Sequence, residues 1–555
     1  MLEPSRQREQ TMAVLLSRLP ALAGKAPLLC VVEDVHWIDP STLDLLHKMV
    51  NGVDKLAVLL LVTCRPEFEV RWPSHDYVSE IRLERFAERG VKEIVAGITA
   101  GKALPADVMS QIVAKADGVP LFAEELTKTV LDSGLLSEGE QNYALLRTLP
   151  NLAIPTTLHD SLMARLDRLP QEKSVAHVAA VIGRTFSYDL LAAVAGLPED
   201  TLSRALARLQ EADLIYERRP ALTKTLEFKH ALIQDAAYQS QLKSVRRTHH
   251  EKIARALEQR FSVIASTQPE VVAHHYGEAE CIEPALRNWQ AAGVRAIEHS
   301  ANVEALRHFD EALRLLPHMD STEKRAQQEL QVQLARGMTL TAVEGFASPS
   351  VEAAYARALA LCEEVGNDQQ KFVALVGLWQ FSMVGGRLPT AVQLGRQLLA
   401  QAEGANNTTS LMLAHRALGT SYLLIGDLVG AREHTTRGLS LYDRQQHGTL
   451  AFRFGHDPGV AHGLYRGWAL WLLGYGDDGL AASQAALRLA HDLKHPVSLA
   501  FALCYLGIVE AHRGDYAGAR DHAAQAAALS AEHHLALWAA MSAIVRGWAH
   551  RAGPR

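Results

Sequence analysis

The feature that most restricts the fold is a glycine that keeps returning with a small residue five positions behind it. It occurs at Gly426 with Ala431, Gly476 with Ala481 and Gly514 with Ala519, each glycine followed by Asp. Gly386 with Ala391 keeps the spacing, with Arg387 in place of the Asp. Two copies are close: Gly426-Asp-Leu-Val-Gly-Ala-Arg-Glu433 and Gly514-Asp-Tyr-Ala-Gly-Ala-Arg-Asp521. In both, a further glycine stands seven residues upstream, Gly419 and Gly507. The separations are 40, 50 and 38 residues. Self-similarity at this period marks helical hairpins that stack, because one hairpin alone cannot bury its apolar face. The Gly-Asp turn joins two helices, and the small residues let them approach closely.

This is the tetratricopeptide pattern, at periods slightly above its usual ~34 residues. Ala305, Phe309, Ala312 and Pro317 fit an earlier unit. Residues 246–555 are therefore expected to form an α-solenoid of tetratricopeptide-like repeats. Its surface is expected to bind a protein or small-molecule effector. Trp379, Trp468, Trp471, Trp538 and Trp548 lie on these helices and are expected to fill the core between repeats. Trp538 to Ala552 reads as the first helix of another hairpin.

The remaining residues must form other domains, since 555 residues exceed what one core accommodates. The net charge of −6 offers no general attraction to nucleic acid or anionic membranes. Five scattered cysteines (Cys30, Cys64, Cys281, Cys362, Cys504) make no disulfide framework or zinc site, and a cytoplasmic location fits. Met1 to Gln10 has no signal-peptide pattern, and the apolar run Leu56 to Val62 is too short to span a bilayer.

Near the start, residues 12–23 have apolar side chains at helical spacing. The run Pro27-Leu-Leu-Cys-Val-Val-Glu-Asp34 reads as a parallel strand buried on both faces. Pro40-Ser-Thr opens an amphipathic helix, and Ala57 to Thr63 reads as a second strand. Strand, helix, strand is an α/β signature. From residue 88 helical periodicity dominates, with no strong strand run before 214–230. Helices are expected at 156–170, 171–182, 187–195 and 199–211. Two strands follow, Asp213 to Arg219 and Thr225 to Lys229, around Pro220. That order predicts a winged helix. Its helix 199–211 sets Glu199, Asp200 and Glu211 against Arg204 and Arg208, so DNA contact is not expected.

The segment that carries chemistry is Val31-Val-Glu-Asp34 with His36, Trp37 and Asp39. Two carboxylates at the C-terminal end of a strand can organise Mg²⁺ and polarise a water. The plainer reading is that Glu33 and Asp34 cap the next helix.

The segment also resembles the Walker B motif of the signal-transduction ATPases with numerous domains. The nearest likeness is the ATPase module found C-terminal to class III adenylate/guanylate cyclase domains and in large regulators with helical repeats. The pieces are Val31-Val-Glu-Asp-Val-His-Trp-Ile-Asp-Pro-Ser-Thr-Leu43, Leu61-Val-Thr-Cys-Arg-Pro-Glu-Phe68, Asp117-Gly-Val-Pro-Leu-Phe-Ala-Glu-Glu125, Arg165-Leu-Asp-Arg-Leu-Pro170 and Phe228-Lys-His-Ala-Leu-Ile-Gln-Asp-Ala-Ala-Tyr238. The resemblance implies that Glu33 holds Mg²⁺ through water and Asp34 activates the attacking water. It implies that Thr63 and Arg65 sense the γ-phosphate, and that Gly118 and Pro120 form a Gly-x-Pro turn near adenine. Locally, Arg65 could equally serve a surface ion pair, and Pro120 could simply open a helix. ATP and Mg²⁺ are the cofactors implied for an intact parent. Together these readings give a mainly α chain in four segments: a partial α/β P-loop-type ATPase remnant (1–87), its helical lid (88–150), a winged-helix domain (151–245) and the solenoid (246–555).

A nucleotide hydrolase of this type needs Gly-x-x-x-x-Gly-Lys-Ser/Thr, whose backbone N–H groups wrap the β-phosphate. Gly24-Lys25 and Gly101-Lys102 are each followed by Ala and lack the earlier glycine. The chain is therefore read as a fragment without the phosphate loop, binding no nucleotide tightly and hydrolysing none alone. The expected function is regulatory, with the repeats sensing or scaffolding. The alternatives are the regulatory part of an adenylate/guanylate cyclase and a protein-binding scaffold with a relic ATPase core. The histidine pairs 249–250, 274–275 and 533–534 lack metal-ligand spacing and are expected to be packed or solvated.

Overall fold

The computed structural model describes residues 4–68, 72, 75–146, 158–218, 224–405, 407–451, 455–533 and 535–552. They fall into two compact units, one of Met1–Phe68 with Gly293–Arg555 and one of Glu69–Ala292.

The first unit opens with α1 (Pro4–Ala23), β1 (Leu28–Val32), α2 (Pro40–Val50) and β2 (Val58–Val62). β1 and β2 pair in parallel from Leu28↔Val58 to Val32↔Val62. α2 starts where Asp39 caps it and Pro40 supplies a preset φ. One expectation fails here. β1 is not buried on both faces: Leu29 is 60% exposed and Val31 48%, and Leu59 and Leu61 of β2 share that face. Alternate side chains point to opposite faces of a strand, and no described element covers the outer one. The other expectation to correct is the start of α1, which begins eight residues before the apolar spacing does.

The second unit begins with α3 (Glu88–Ile98), α4 (Ala106–Ala116) and α5 (Pro120–Leu131), packed through Val91, Val95, Val108, Ile112 and Leu126. A hairpin of β3 (Leu136–Glu138) and β4 (Tyr143–Leu145) follows, where no strand was expected. Three-residue strands are too short to show periodicity. Next come α6 (Leu158–Asp167), α7 (Lys173–Ile182), β5 (Thr185–Ser187), α8 (Tyr188–Ala195), α9 (Glu199–Glu211), β6 (Ile215–Glu217) and β7 (Thr225–Phe228). The helix ends lie within two or three residues of expectation. Residues 156, 157 and Pro220 lie outside the described residues. β7 pairs antiparallel with both β5 and β6, so the sheet has a third strand that the sequence reading missed. The unit ends with α10 (Ala231–Gln239), α11 (Lys243–Arg260), α12 (Ser262–Thr267), α13 (Pro269–Glu278) and the start of α14 (Ile282–Glu298).

The rest of the first unit is helical: α15 (Asn302–Leu315), α16 (Thr322–Glu344), α17 (Pro349–Val365), α18 (Asp368–Val384), α19 (Leu388–Ala405), α20 (Thr408–Ile425), α21 (Leu428–Ser440), α22 (Arg444–His447), α23 (Pro458–Leu472), α24 (Gly476–Leu493), α25 (Pro496–His512), α26 (Tyr516–Glu532) and α27 (Ala536–Ala552). Long helices pack on their chain neighbours in the stacked-hairpin order that the repeat implies. Gly386, Gly426 and Gly514 have φ of 73°, 87° and 84°, a left-handed turn that favours glycine. Asp427 and Asp515 then cap α21 and α26. Ala391, Ala431 and Ala519 are fully buried.

The Gly476 copy is in a different register from the one the sequence suggests. The turn glycine is Gly474, with φ 91°, while Gly476 lies in the first turn of α24. Five residues after Gly474 stands Gly479, buried, whereas Ala481 is exposed. Seven residues before it stands Gly467, the counterpart of Gly419 and Gly507. A Cβ on Gly467 would come within 2.8 Å of the Gly479 carbonyl oxygen, so close approach of α23 and α24 selects this register. Asp477 pairs with Arg513 at 2.9 Å rather than capping the helix. Trp379 is buried, with its Nε1 donating to Ser421 Oγ at 3.0 Å. Trp468, Trp538 and Trp548 pack partly buried against the repeat core, and Trp471 stacks on His512.

Candidate functional site at the strand ends

In-register parallel pairing brings the residues after β1 and β2 side by side. Glu33 and Asp34 leave β1 next to Thr63 and Arg65 leaving β2. The Thr63 N–H donates to the Val32 carbonyl, and the Val35 N–H donates to the Thr63 carbonyl, both at 3.0 Å. Between them the Asp34 N–H donates to Thr63 Oγ1 at 3.0 Å. Asp34 takes φ 54° and ψ 43°, a left-handed conformation that Asp tolerates better than most residues. Ladder and hydroxyl together hold this turn in place. Such uncommon backbone at a strand end is where sites cluster, and clefts outside the C-terminal ends of parallel strands are where α/β sheets take ligands.

Glu33 is exposed and Asp34 half-buried. Asp34 precedes a 3₁₀ turn without making a capping side-chain bond; Asp39 is the residue that caps. Asp39 accepts from the Thr42 N–H at 2.8 Å and from its hydroxyl at 2.6 Å. Burial opposes its charge, yet these bonds hold its pKa below the ordinary aspartate value. At the same helix start the Ser41 N–H donates to Glu304 of α15 at 2.7 Å, a carboxylate at the positive end of α2. The exposed Arg65 makes no ion pair among the described residues; its guanidinium lies 5.4 Å over the Trp37 ring.

These strand ends thus present two carboxylates, a hydroxyl already accepting from Asp34, and a guanidinium held on an aromatic ring. The set suits a hydrated Mg²⁺ and one phosphate edge. It does not supply the run of backbone N–H groups that wraps a triphosphate. Among the described residues no group of three or more His, Cys, Asp or Glu is placed to hold a bare metal ion.

Gly118 and Pro120 belong to the other unit. Asp117 and Gly118 have φ of 46° and 71°. The Gly118 carbonyl accepts from the Phe86 N–H at 2.8 Å, and a Cβ on Gly118 would collide with the Phe86 carbonyl. Pro120 occupies the first turn of α5. This helix carries what the sequence reading missed. Glu125, 1% exposed, pairs with Arg165 of α6, whose Nη2 also donates to the Ala212 carbonyl at 2.5 Å. Lys128 bridges Glu124 at 2.7 Å and Asp213 at 3.1 Å, and Asp213 also pairs with Lys229. The motif pieces around 125, 165 and 229, far apart in sequence, therefore meet in one polar junction. Their charges were legible; their pairing was not.

Among the described residues the paired histidines His250 and His275 bond to each other, with an Nδ1···Nδ1 distance of 2.8 Å, and the Tyr238 hydroxyl lies 3.0 Å from His250 Nε2. His534 lies outside the described residues. Among the described residues no helix is long and apolar enough to cross a membrane.

Comparison with known proteins adds little specificity. No protein-family model matches the chain. Among curated proteins the chain is similar to an uncharacterized protein of Rhizobium meliloti (strain 1021), 25% identical over 561 residues, which cover 99% of this chain and 54% of that protein. The chain spans about half the length of that relative. Among solved structures it is similar to a signal transduction ATPase with numerous domains bearing a tetratricopeptide repeat sensor, from Pyrococcus horikoshii. The TM-score is 0.35 at 10% identity, over 96% of this chain and 79% of that one. It is also similar to aspartyl phosphate phosphatase F from Bacillus subtilis, with a TM-score of 0.36 at 11% identity, over 70% of this chain and 96% of that one. The chain is mainly α, with a helical-repeat region of tetratricopeptide type.

Proposed function

We propose that the chain is a regulatory protein of the signalling-ATPase kind, acting in the cytoplasm. Its repeats sense or scaffold an effector, and its strand-end site is the acidic half of a nucleotide switch. The observation that carries this reading is the union of Glu33, Asp34, Thr63 and Arg65 at the ends of two in-register parallel strands. In that switch Glu33 takes Mg²⁺ through water, Asp34 orients a water, and Thr63 with Arg65 reads the terminal phosphate. The helices α7 to α9 with the sheet β5-β7-β6 have the order of a winged helix, and the Glu125–Arg165 junction ties that segment to α5 as a relay.

The chain carries no Gly-x-x-x-x-Gly-Lys-Ser/Thr loop. It is therefore expected to bind Mg-ATP only weakly and to show no turnover alone. Calorimetric titration of the full chain with Mg-ATP tests this, and no saturation below about millimolar nucleotide is expected. Tight, Mg²⁺-dependent binding would overturn the argument from the missing loop. A second reading, a protein-binding scaffold with a relic core, is favoured by Arg65 being engaged on Trp37. It predicts no change at all on Glu33→Gln or Asp34→Asn.

A further inference from the structure

The repeat stack contains a buried cation that no carboxylate among the described residues pairs with directly. Arg416 is the one arginine of α20 and is only 3% exposed. Its guanidinium lies 5.4 Å over the Trp379 ring of α18. Nη1 is buried without a hydrogen-bond partner, and no carboxylate among the described residues pairs with the group. Asp457, the buried acid whose charge it feels, is already engaged. Its carboxylate accepts from the Tyr442 hydroxyl at 3.0 Å and from the Val460 N–H at 2.9 Å.

Guanidinium keeps its proton inside proteins, so this is a true interior charge. Buried charges are ordinarily paired, and an unsatisfied one in a native fold calls for a reason. Its surroundings supply one. Tyr465 of α23, also within its field, stands edge-on to Tyr505 of α25 at 5.4 Å. Trp468 lies 5.7 Å from the same Tyr505 ring, and its buried Nε1 has no partner among the described residues. Arg416 Nη1 is thus an unfilled charged donor against an aromatic wall, the kind of group that takes one small anion. An anion reaching it is desolvated along with the guanidinium, and pairing strengthens in low dielectric.

We propose that Arg416 anchors an anion-recognition site inside the repeat stack, taking a carboxylate or phosphate group of the effector. This rests on the reading that the repeats sense a ligand, and it names the chemistry they sense.

The test uses the full chain, titrated with inorganic phosphate and, separately, acetate at constant ionic strength, with chloride as control. Tryptophan emission and the melting of the repeats are the readouts. Wild type is expected to respond saturably to one of the two oxyanions, which identifies the group, and not to chloride. Arg416→Met is expected to weaken that response at least tenfold while melting no lower than wild type without anion, because an unpaired charge has gone. Arg416→Lys keeps the charge but loses the planar fork, and should bind in between. Three results would overturn the proposal. They are no saturable oxyanion response in wild type, an unchanged response in Arg416→Met, or an Arg416→Met that melts several degrees lower, which would make the guanidinium a structural member. The Mg-ATP titration reads the strand ends and not these helices, so either reading can fail without the other.

Discussion

Replacing Glu125 by Gln removes one charge from a pair that water hardly reaches. Glu125 is 1% exposed and Arg165 9%. Arg165 keeps its bond to the Ala212 carbonyl, so its position is held while its charge is left uncompensated. Breaking a buried pair by losing one partner costs ~3–5 kcal/mol. Gln still offers an oxygen to the guanidinium, which places Glu125→Gln near 3 kcal/mol. The unit from Glu69 to Ala292 holds roughly 220 residues, a size at which each kcal/mol moves Tm by ~2–4 °C. The expected drop is therefore about 6–12 °C. Scanning calorimetry of the full chain measures it, with the repeat transition as internal reference. The double variant Glu125→Leu/Arg165→Met removes both charges and should recover most of the loss, since apolar replacement of a buried pair is often neutral or stabilising. A Glu125→Gln protein that melts like wild type, or a double variant no better than the single, would refute the argument.

Two other outcomes follow from particular contacts. Gly467→Ala forces a Cβ against the Gly479 carbonyl and the Ser483 hydroxyl, and should cost ~1–3 kcal/mol in denaturant unfolding. Gly547→Ala, with nothing within 4 Å, should be harmless. Burial first, then the charge of neighbouring histidines, lowers His250 to about 4 and His275 to about 3. Folded, the pair binds fewer protons than the unfolded chain does below pH 6.5. Its contribution is full above that pH and is lost as pH falls toward 4. Melting temperature measured from pH 7 to 4 should fall, and His275→Leu should flatten the slope. An unchanged slope would show that the pair does not govern it.

The repeats and the strand-end carboxylates were legible because their signals are local. A turn glycine with a capping Asp carries its own backbone chemistry, and Asp427 and Asp515 do what the sequence pattern implies. The same locality misled at Gly476. Two glycines two residues apart both fit the pattern, and only the contact of Gly467 with Gly479 decides between them. Short strands such as Thr185–Ser187 were invisible because their stability comes from the partner strand and not from their own residues.

The sequence by itself determined the helical stack, the parallel strand pair and the residues at its ends, since periodicity, turn chemistry and strand punctuation act within a few residues. Tertiary structure alone decided that one face of that pair is open and that Arg65 rests on Trp37. It also decided that Glu125 meets Arg165 and that Arg416 is buried with its Nη1 unpartnered among the described residues. These depend on which distant side chains share a desolvated space. Charge and hydrogen bonding become strong only there, and no local pattern encodes that proximity.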